Sequence, residues 1–250
     1  MELKEIEQLF LDLLSEPYTV AVDVGAHLGC YTETMIKNKN IVYAYEPVPE
    51  LYEKLKNEFG SQNSVTIKNL ALSDRNGTTS LRIPIVNDKI KYGWASCYRN
   101  FEKEYPVKTI LVDTVTLDSE DIQNVGLIKI DVEGFELEVI KGATQTIINS
   151  KPNLIVELEE RHRRGTVEMT SKHLSDMGYK GFYIDILEHD VKPFDSSRIK
   201  TMQSDFLNGQ YQNYVNNFIF VSIDRYEDII NNFASKRKMI KMWTRSRSEV

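Results

Sequence analysis

The stretch Thr19–Cys30, T-V-A-V-D-V-G-A-H-L-G-C, constrains this chain more than any other. Val20-Ala21-Val22 is the short apolar run of a strand buried on both faces. A carboxylate, Asp23, follows, and then two glycines, Gly25 and Gly29, with three residues between them. From Tyr31 the pattern becomes helical, with Thr34 and Met35. Strand, acidic residue, glycine-bearing turn and helix, in that order, build a ligand site at the carboxyl end of the first strand of an open α/β sheet. Glycine serves there because it accepts positive φ and lets the backbone approach a ligand.

The spacing bears on which ligand. A dinucleotide site reads G-x-G-x-x-G and aims a helix N-terminus at a pyrophosphate. Here the pattern is D-x-G-x-x-x-G, with Ala26 and His27 after Gly25. A carboxylate at the strand end repels a pyrophosphate and attracts a cation. S-adenosylmethionine (SAM) carries an ammonium and a sulfonium and no phosphate, so Asp23 is read as an anchor near its methionine end. On this stretch alone, an ordinary strand-turn-helix with a polar turn is the alternative.

A second carboxylate supports the first. Ile41–Tyr45 reads as a strand ending in Glu46-Pro47, and Glu46 lies 23 residues after Asp23. In nucleoside-binding α/β folds an acidic residue at about this distance accepts hydrogen bonds from the ribose hydroxyls. Glu50–Phe59 is a helix and Val65–Lys68 a third strand. Leu70, Ala71 and Leu72 then offer apolar surface for an adenine, with Ser73 or Asp74 for its exocyclic amine. Thr78–Pro84 reads as a strand leaving a hairpin at Arg75-Asn76-Gly77. Residues 87–106 break the rhythm and hold Tyr92-Gly93-Trp94-Ala95-Ser96-Cys97-Tyr98, an aromatic, aperiodic stretch of the kind that forms binding loops. Tyr92, Trp94 and Ser96 are its candidate substrate contacts, an aromatic cluster under a loop being the other reading.

The second half repeats the theme. Val107–Val115 is a strand and Ser119–Gln123 a short helix. Gly126–Asp131 is a strand ending in Asp131, which faces the same crevice as Asp23. Gly134 permits a sharp turn, and Phe135–Ser150 carries apolar residues at helical spacing. Asn153–Glu157 is a further strand with carboxylates at its end, Glu157 and Glu159, before the polar loop Glu160–Arg164. Thr166–Met177 is a helix, Tyr179–Ile186 and Phe218–Ile223 are the last strands, and Leu187–Asn217 between them is an insertion. Met1–Ser15 reads as an amphipathic helix and Arg225–Val250 as a basic helical tail.

Alternating strands and helices predict an α/β fold: a doubly wound, mostly parallel sheet with helices on both faces and one antiparallel edge strand. The 250 residues suit a single domain: an N-terminal helix over 1–17, a cofactor-binding core over 18–159 and an acceptor-shaping part over 160–250. A net charge of −6 argues against a nucleic-acid binder that works through a global positive field, although the basic tail could meet phosphates or an anionic membrane surface. Two cysteines, Cys30 and Cys97, are too few for a disulfide framework, and Cys30 is read as core. No signal segment and no run of 18 apolar residues is visible, so a cytoplasmic location is expected.

Four segments taken together resemble the FkbM family of SAM-dependent methyltransferases: V-D-V-G-A-H-L-G at 22–29, Y-E-P-V-P at 45–49, N-L-A-L-S-D-R-N-G at 69–77, and T-L-D at 116–118 with I-K-I-D-V-E-G-F-E-L-E-V-I-K-G at 128–142. The resemblance covers about residues 18–159. It implies the class I Rossmann-like methyltransferase fold and O-methylation of a sugar, glycan or polyketide hydroxyl. It also implies that Asp23, Gly25 and Gly29 hold SAM, that Glu46 holds its ribose, and that Ala71, Leu72 and Asp74 lie by its adenine. His27 stands where the family often has Asn.

Methyl transfer to a hydroxyl needs alignment of oxygen, methyl and sulfur, and removal of the hydroxyl proton. Asp131, Glu133, Glu157, Glu159 and His162 are the candidate bases. Asp131 with Glu157 could instead hold Mg²⁺, an oxygen-ligand metal. The rival functions are a nicotinamide oxidoreductase, disfavoured by Asp23 and the missing fingerprint, a nucleic-acid methyltransferase, and a SAM-binding protein without catalysis.

Overall fold

The structure is a computed structural model that describes residues 5–209 and 214–248. An eight-stranded sheet forms its centre. Five strands run parallel in the spatial order β9 (Asn153–Glu157), β8 (Val125–Ile130), β1 (Val20–Val24), β2 (Ile41–Tyr45) and β3 (Val65–Lys68). Beyond β9 come β12 (Asn217–Ser222), β10 (Tyr179–Asp185) and β11 (Asp190–Pro193), each paired antiparallel to its neighbour. The parallel sheet and antiparallel edge are thus as expected, and the edge holds three strands where one was expected.

Why the sheet is covered on both faces is visible in the period-2 alternation of its strands. Val20, Val22 and Val24 enter one apolar cluster with Ile128, Ile130, Leu154 and Val156. Ala21, Leu127 and Ile155 enter the other with Phe10, Met35 and Phe233. The first face is covered by α4 (Glu136–Lys141), α5 (Thr144–Ser150), α6 (Thr166–Asp176) and α7 (Ser196–Leu207). The second is covered by α1 (Leu11–Leu14), α2 (Cys30–Lys37), α8 (Tyr226–Ser235) and α9 (Arg237–Ser248). Helix α3 (Pro49–Phe59) packs Leu55 and Phe59 beside Ala26 and Ala44.

A second sheet, in the order β4 (Ala71–Leu72), β7 (Val107–Val115), β5 (Gly77–Val86) and β6 (Lys89–Ile90), stands beside the cavity. It corrects the expected hairpin: Ala71 and Gly77 both pair with Thr114, from opposite sides of β7, so residues 73–76 cross over its end.

Other differences have local causes. The expected helix over Met1–Ser15 is a 3₁₀ turn at Ile6–Phe10 followed by one turn of α1, and residues 1–4 lie outside the described residues. The helix expected over Phe135–Ser150 breaks at Gly142, where a Cβ would lie 1.9 Å from the Ser73 carbonyl oxygen. The insertion over Leu187–Asn217 contains β11 and α7, and the tail is two helices. In that tail Lys236 pairs with Asp12 and Arg237 with Asp190, so part of its charge is met within the chain. Among the described residues no helix is long and apolar enough to cross a membrane.

Candidate active site

Strands β1, β2 and β8 end side by side and are tied there by main-chain hydrogen bonds. Asp131 N–H donates to the Val24 carbonyl at 3.0 Å, and the N–H groups of Gly25 and Ala26 donate to the Tyr45 carbonyl at 3.0 and 3.1 Å. Gly25 has φ +79°, and a Cβ on it would sit 1.9 Å from the Asp131 carbonyl oxygen. Only glycine lets the β1 turn lie this close to β8. Above these strand ends opens a cavity of about 270 Å³.

Asp23, Gly25, His27, Glu46, Ala71, Leu72, Tyr92 and Asp131 all line this cavity. Leu70 and Glu133 line it as well, whereas Gly29, Ser73, Asp74, Trp94, Ser96, Glu157, Glu159 and His162 do not. Gly29 starts α2 at φ +81°, with space for a Cβ blocked at 2.4 Å by the Phe59 ring, so it serves helix packing. Ser73 donates to the Asp74 carboxylate at 3.2 Å away from the cavity. Ser96 is fully buried: its hydroxyl donates to the Glu133 carbonyl at 2.6 Å and accepts the N–H groups of Tyr98 and Arg99. It thereby pins the aromatic segment to the turn after β8. Trp94 lies outside the cavity, half-exposed against Tyr105, with ring centroids 6.2 Å apart. Cys30, expected in the core, is half-buried at the cavity wall, where Gln8 bonds to its carbonyl.

The cavity is strongly acidic. Asp23 is 2% exposed and accepts the Thr32 hydroxyl at 2.5 Å. Burial pushes its pKa up to about 6, against the hydrogen bond from Thr32 and the charge of Lys129. Both oxygens of Glu46 are held: Oε2 accepts the His27 N–H and Oε1 the Val48 N–H, each at 2.8 Å. Burial raises Glu46 to about 7 in spite of those two bonds. On the other side of Asp23 from β2 stands Lys129, buried at 1% exposure and opposite Asp23 in the β1–β8 register. Its ammonium bonds the Asn217 amide oxygen at 2.9 Å, lies 3.8 Å from Asp131 and sits 5.0 Å from the centre of the Tyr31 ring. Burial opposes its charge, but the acidic groups around it, Asp131 foremost, outweigh burial and hold the ammonium protonated.

Asp131 hydrogen-bonds Glu157, which lies behind the cavity wall. Burial works against an ionised Asp131, yet Lys129, the bond from Glu157, His162 and His27 together hold its pKa low. Burial and the Asp131 charge push the Glu157 pKa well above the ordinary carboxylate value. Glu133 stands at φ +55° in the next turn, with Oε2 2.9 Å from His162 Nε2. Burial raises Glu133, while burial lowers and Glu133 more than restores the His162 pKa. His162 therefore does not reach the cavity; Glu133 stands between. Glu159 is 1% exposed and bonded to Arg161, Tyr214 and Asn216. Ligand atoms of Asp131, Glu133 and Glu157 lie within 4.8 Å of one another. The ammonium of Lys129, 3.8 Å from Asp131, already meets part of their charge.

Residues 23–192 match the Methyltransferase FkbM domain. The chain belongs to the FkbM methyltransferase family. Among curated relatives, it is 30% identical over 158 residues to the hexuronic acid methyltransferase AglP of Haloferax volcanii, covering 62% of each chain. It is 23% identical over 167 residues to the 2-O-methyltransferase NoeI of Sinorhizobium fredii, covering 59% of this chain and 66% of the relative. The chain thus spans less than two thirds of each of these relatives. A methyltransferase FkbM structure from Methylobacillus flagellatus superposes with a TM-score of 0.52 at 16% identity, covering 82% of this chain and 43% of that one. This likeness shows the shared fold, the class I Rossmann-like methyltransferase architecture.

Several groups of this FkbM site escaped the sequence reading. Lys129 was legible as a lone cation inside the apolar strand G-L-I-K-I. Glu5, Tyr31 and Asn217 carried no such signal. The Tyr31 hydroxyl donates to Glu5 at 2.7 Å and the Asn217 amide donates to Glu5 at 3.0 Å, across 212 residues of sequence.

Proposed function

We propose that this chain is a SAM-dependent O-methyltransferase acting on a hydroxyl of a sugar or glycan, with residues 18–159 as its cofactor core and 160–250 shaping the acceptor site. The observation that carries the reading is the acidic cavity at the ends of β1, β2 and β8, in a chain whose relatives bear sugar-methylating names. The lining fits the cofactor. Asp23, Glu46 and Asp131 offer carboxylates, the one ammonium among the described lining residues is already paired, and Val48, Leu70, Ala71 and Leu72 give an apolar wall. Such a set favours a ligand with cationic groups, hydroxyls and a flat apolar base, and disfavours a pyrophosphate.

When bound, SAM supplies a methyl group on an electrophilic sulfonium. Asp23 is assigned to the ammonium end and Glu46 to the ribose hydroxyls. Asp131, ionised beside Lys129, orients the acceptor hydroxyl. Glu133, raised by burial and backed by His162, takes its proton, since a base works best with a pKa near the working pH. Mg²⁺ at Asp131 and Glu157 is the second scheme.

Calorimetry with SAM and with NADH, followed by assay of S-adenosylhomocysteine release with neutral and uronic glycosides, with and without EDTA, tests the reading. SAM binding with glycoside-dependent turnover that survives EDTA is expected. NADH binding without SAM binding overturns the class, SAM binding without turnover leaves a non-catalytic binder, and Mg²⁺-restored activity transfers the chemistry to the metal scheme.

A further inference from the structure

The Glu5 carboxylate separates two hollows. On one side is the cofactor cavity. On the other is a smaller niche of about 150 Å³, closed by the N-terminal 3₁₀ turn, the end of β10 and the start of β12. The wall between them is a polar chain, Tyr31 to Glu5 to Asn217 to Lys129, joined at 2.7, 3.0 and 2.9 Å. Asn216 lines the niche, and its amide nitrogen donates to Glu157 and, at 3.2 Å, to Glu159. The niche is therefore one side chain away from the Asp131–Glu157 pair.

Two polar groups on its wall have no partner among the described residues. Glu7 is 5% exposed, and apart from its own backbone N–H its carboxyl bonds to no described residue. Burial pushes its pKa up to about 8, so near neutral pH it is a carboxylic acid and a hydrogen-bond donor. The Asn216 amide oxygen accepts no hydrogen bond from any described residue. A buried donor without a partner costs stability unless a ligand or water meets it. Around these groups Tyr214, Trp243 and Ile186 supply flat apolar surface, and no Lys, Arg or His is among the described residues that line the niche.

We infer that this niche holds one uncharged sugar ring of the acceptor, a ring hydroxyl accepting from Glu7 and donating to Asn216. The inference rests on the reading of the chain as a sugar methyltransferase and adds the charge of an acceptor ring held across the Glu5 wall from the cofactor cavity. A uronate ring would set its carboxylate against Glu5 with no cation among the described lining residues to receive it, and a purely apolar ligand would leave Glu7 unmet. The volume suits a single ring and not an oligomer.

Saturation-transfer NMR on the full chain tests this with two probes, methyl glucoside and the methyl glycoside of glucuronic acid. The neutral glycoside is expected to bind, and the uronic one to bind at least tenfold more weakly. Glu7→Leu removes the donor, and Ile186→Trp fills the niche from its half-buried rim. Each should weaken the neutral glycoside at least tenfold and leave the SAM Kd within twofold. Ile186→Trp carries the test if Glu7→Leu fails to fold. Absence of neutral-glycoside binding, equal or tighter uronic binding, or binding indifferent to both variants overturns the inference. If SAM binds and methyl reaches a glycoside whose KM ignores both variants, the niche falls while the function stands. If the glycoside binds in a variant-sensitive way but no SAM binds, the niche stands while the function falls.

Discussion

Glu46→Gln separates what the β2 carboxylate does for the fold from what it does for the cofactor. The carboxylate receives two main-chain N–H groups, one on each oxygen. An amide has one accepting oxygen, so either His27 or Val48 would face a donor, at about 1–3 kcal/mol for an unmet buried N–H. Against this, the wild type carries a penalty of its own. Its folded pKa of about 7 lies above the ordinary 4.5, so folding binds a proton between those values. Stability from this group is full below pH 4.5 and is lost as pH rises through 7. From pH 5.5 to pH 8 the loss grows by about 2 kcal/mol at 1.36 kcal/mol per pKa unit. Glu46→Gln does not titrate, so its destabilisation should be about 2 kcal/mol smaller at pH 8 than at pH 5.5, read from urea melts of the cofactor-free protein. SAM binding should move the other way. Loss of a charged hydrogen-bond acceptor costs about 1.5–3 kcal/mol, or roughly 10- to 150-fold in Kd by calorimetry at pH 8. Unchanged SAM affinity at pH 8 in a folded variant would refute the assignment of this carboxylate to the ribose.

SAM affinity should rise between pH 5.5 and pH 8, because Asp23 at about 6 must ionise to meet the ammonium and Glu46 at about 7 must ionise to accept from the ribose hydroxyls; a flat profile, with no proton release in calorimetry across buffers, speaks against both contacts. The cofactor-free protein should melt at a lower temperature as pH rises from 5.5 to 8.5, since Glu7, Glu136 and Glu46 are all raised by burial and must lose protons in the fold; a Tm that climbs over this range contradicts their burial. Asp131→Asn should lower kcat by about 10²–10⁴-fold with SAM Kd within threefold, and near-normal kcat would move the chemistry elsewhere in the cavity. Tyr92→Ala should raise the acceptor KM more than Trp94→Ala, because Tyr92 lines the cavity and Trp94 does not; the reverse order would show that the loop rearranges when acceptor binds.

Much of the framework was legible in the sequence because it depends on near neighbours along the chain. Val20–Val24, Ile41–Tyr45, Val65–Lys68, Val107–Val115 and Asn153–Glu157 form strands with the bounds their apolar runs and flanking turns predict. Asp23, Glu46 and Asp131 come together because each ends a parallel strand, and parallel strands present their carboxyl ends on one side of the sheet. Periodicity also accounts for the longer helix expected over 135–150: apolar spacing continues across Gly142, where the chain passes so close to the Ser73 carbonyl, distant in sequence, that only glycine fits.

What the sequence alone determined is therefore the half of the cavity formed by Asp23, Glu46 and Asp131, where each contributing residue follows directly from its own strand and turn. The tertiary structure decided the other half. Insertion of β12 between β9 and β10 brings Asn217 to Lys129 across 88 residues, and to Glu5 across 212. The tertiary structure also encloses Glu7, sets Glu133 in front of His162 and leaves Ser96 and Trp94 outside the cavity. None of these has a local signature, because strand order and the path of a crossing segment are fixed by burial of apolar faces over the whole chain. A charge buried by that packing owes its proton affinity to neighbours brought together only by the fold.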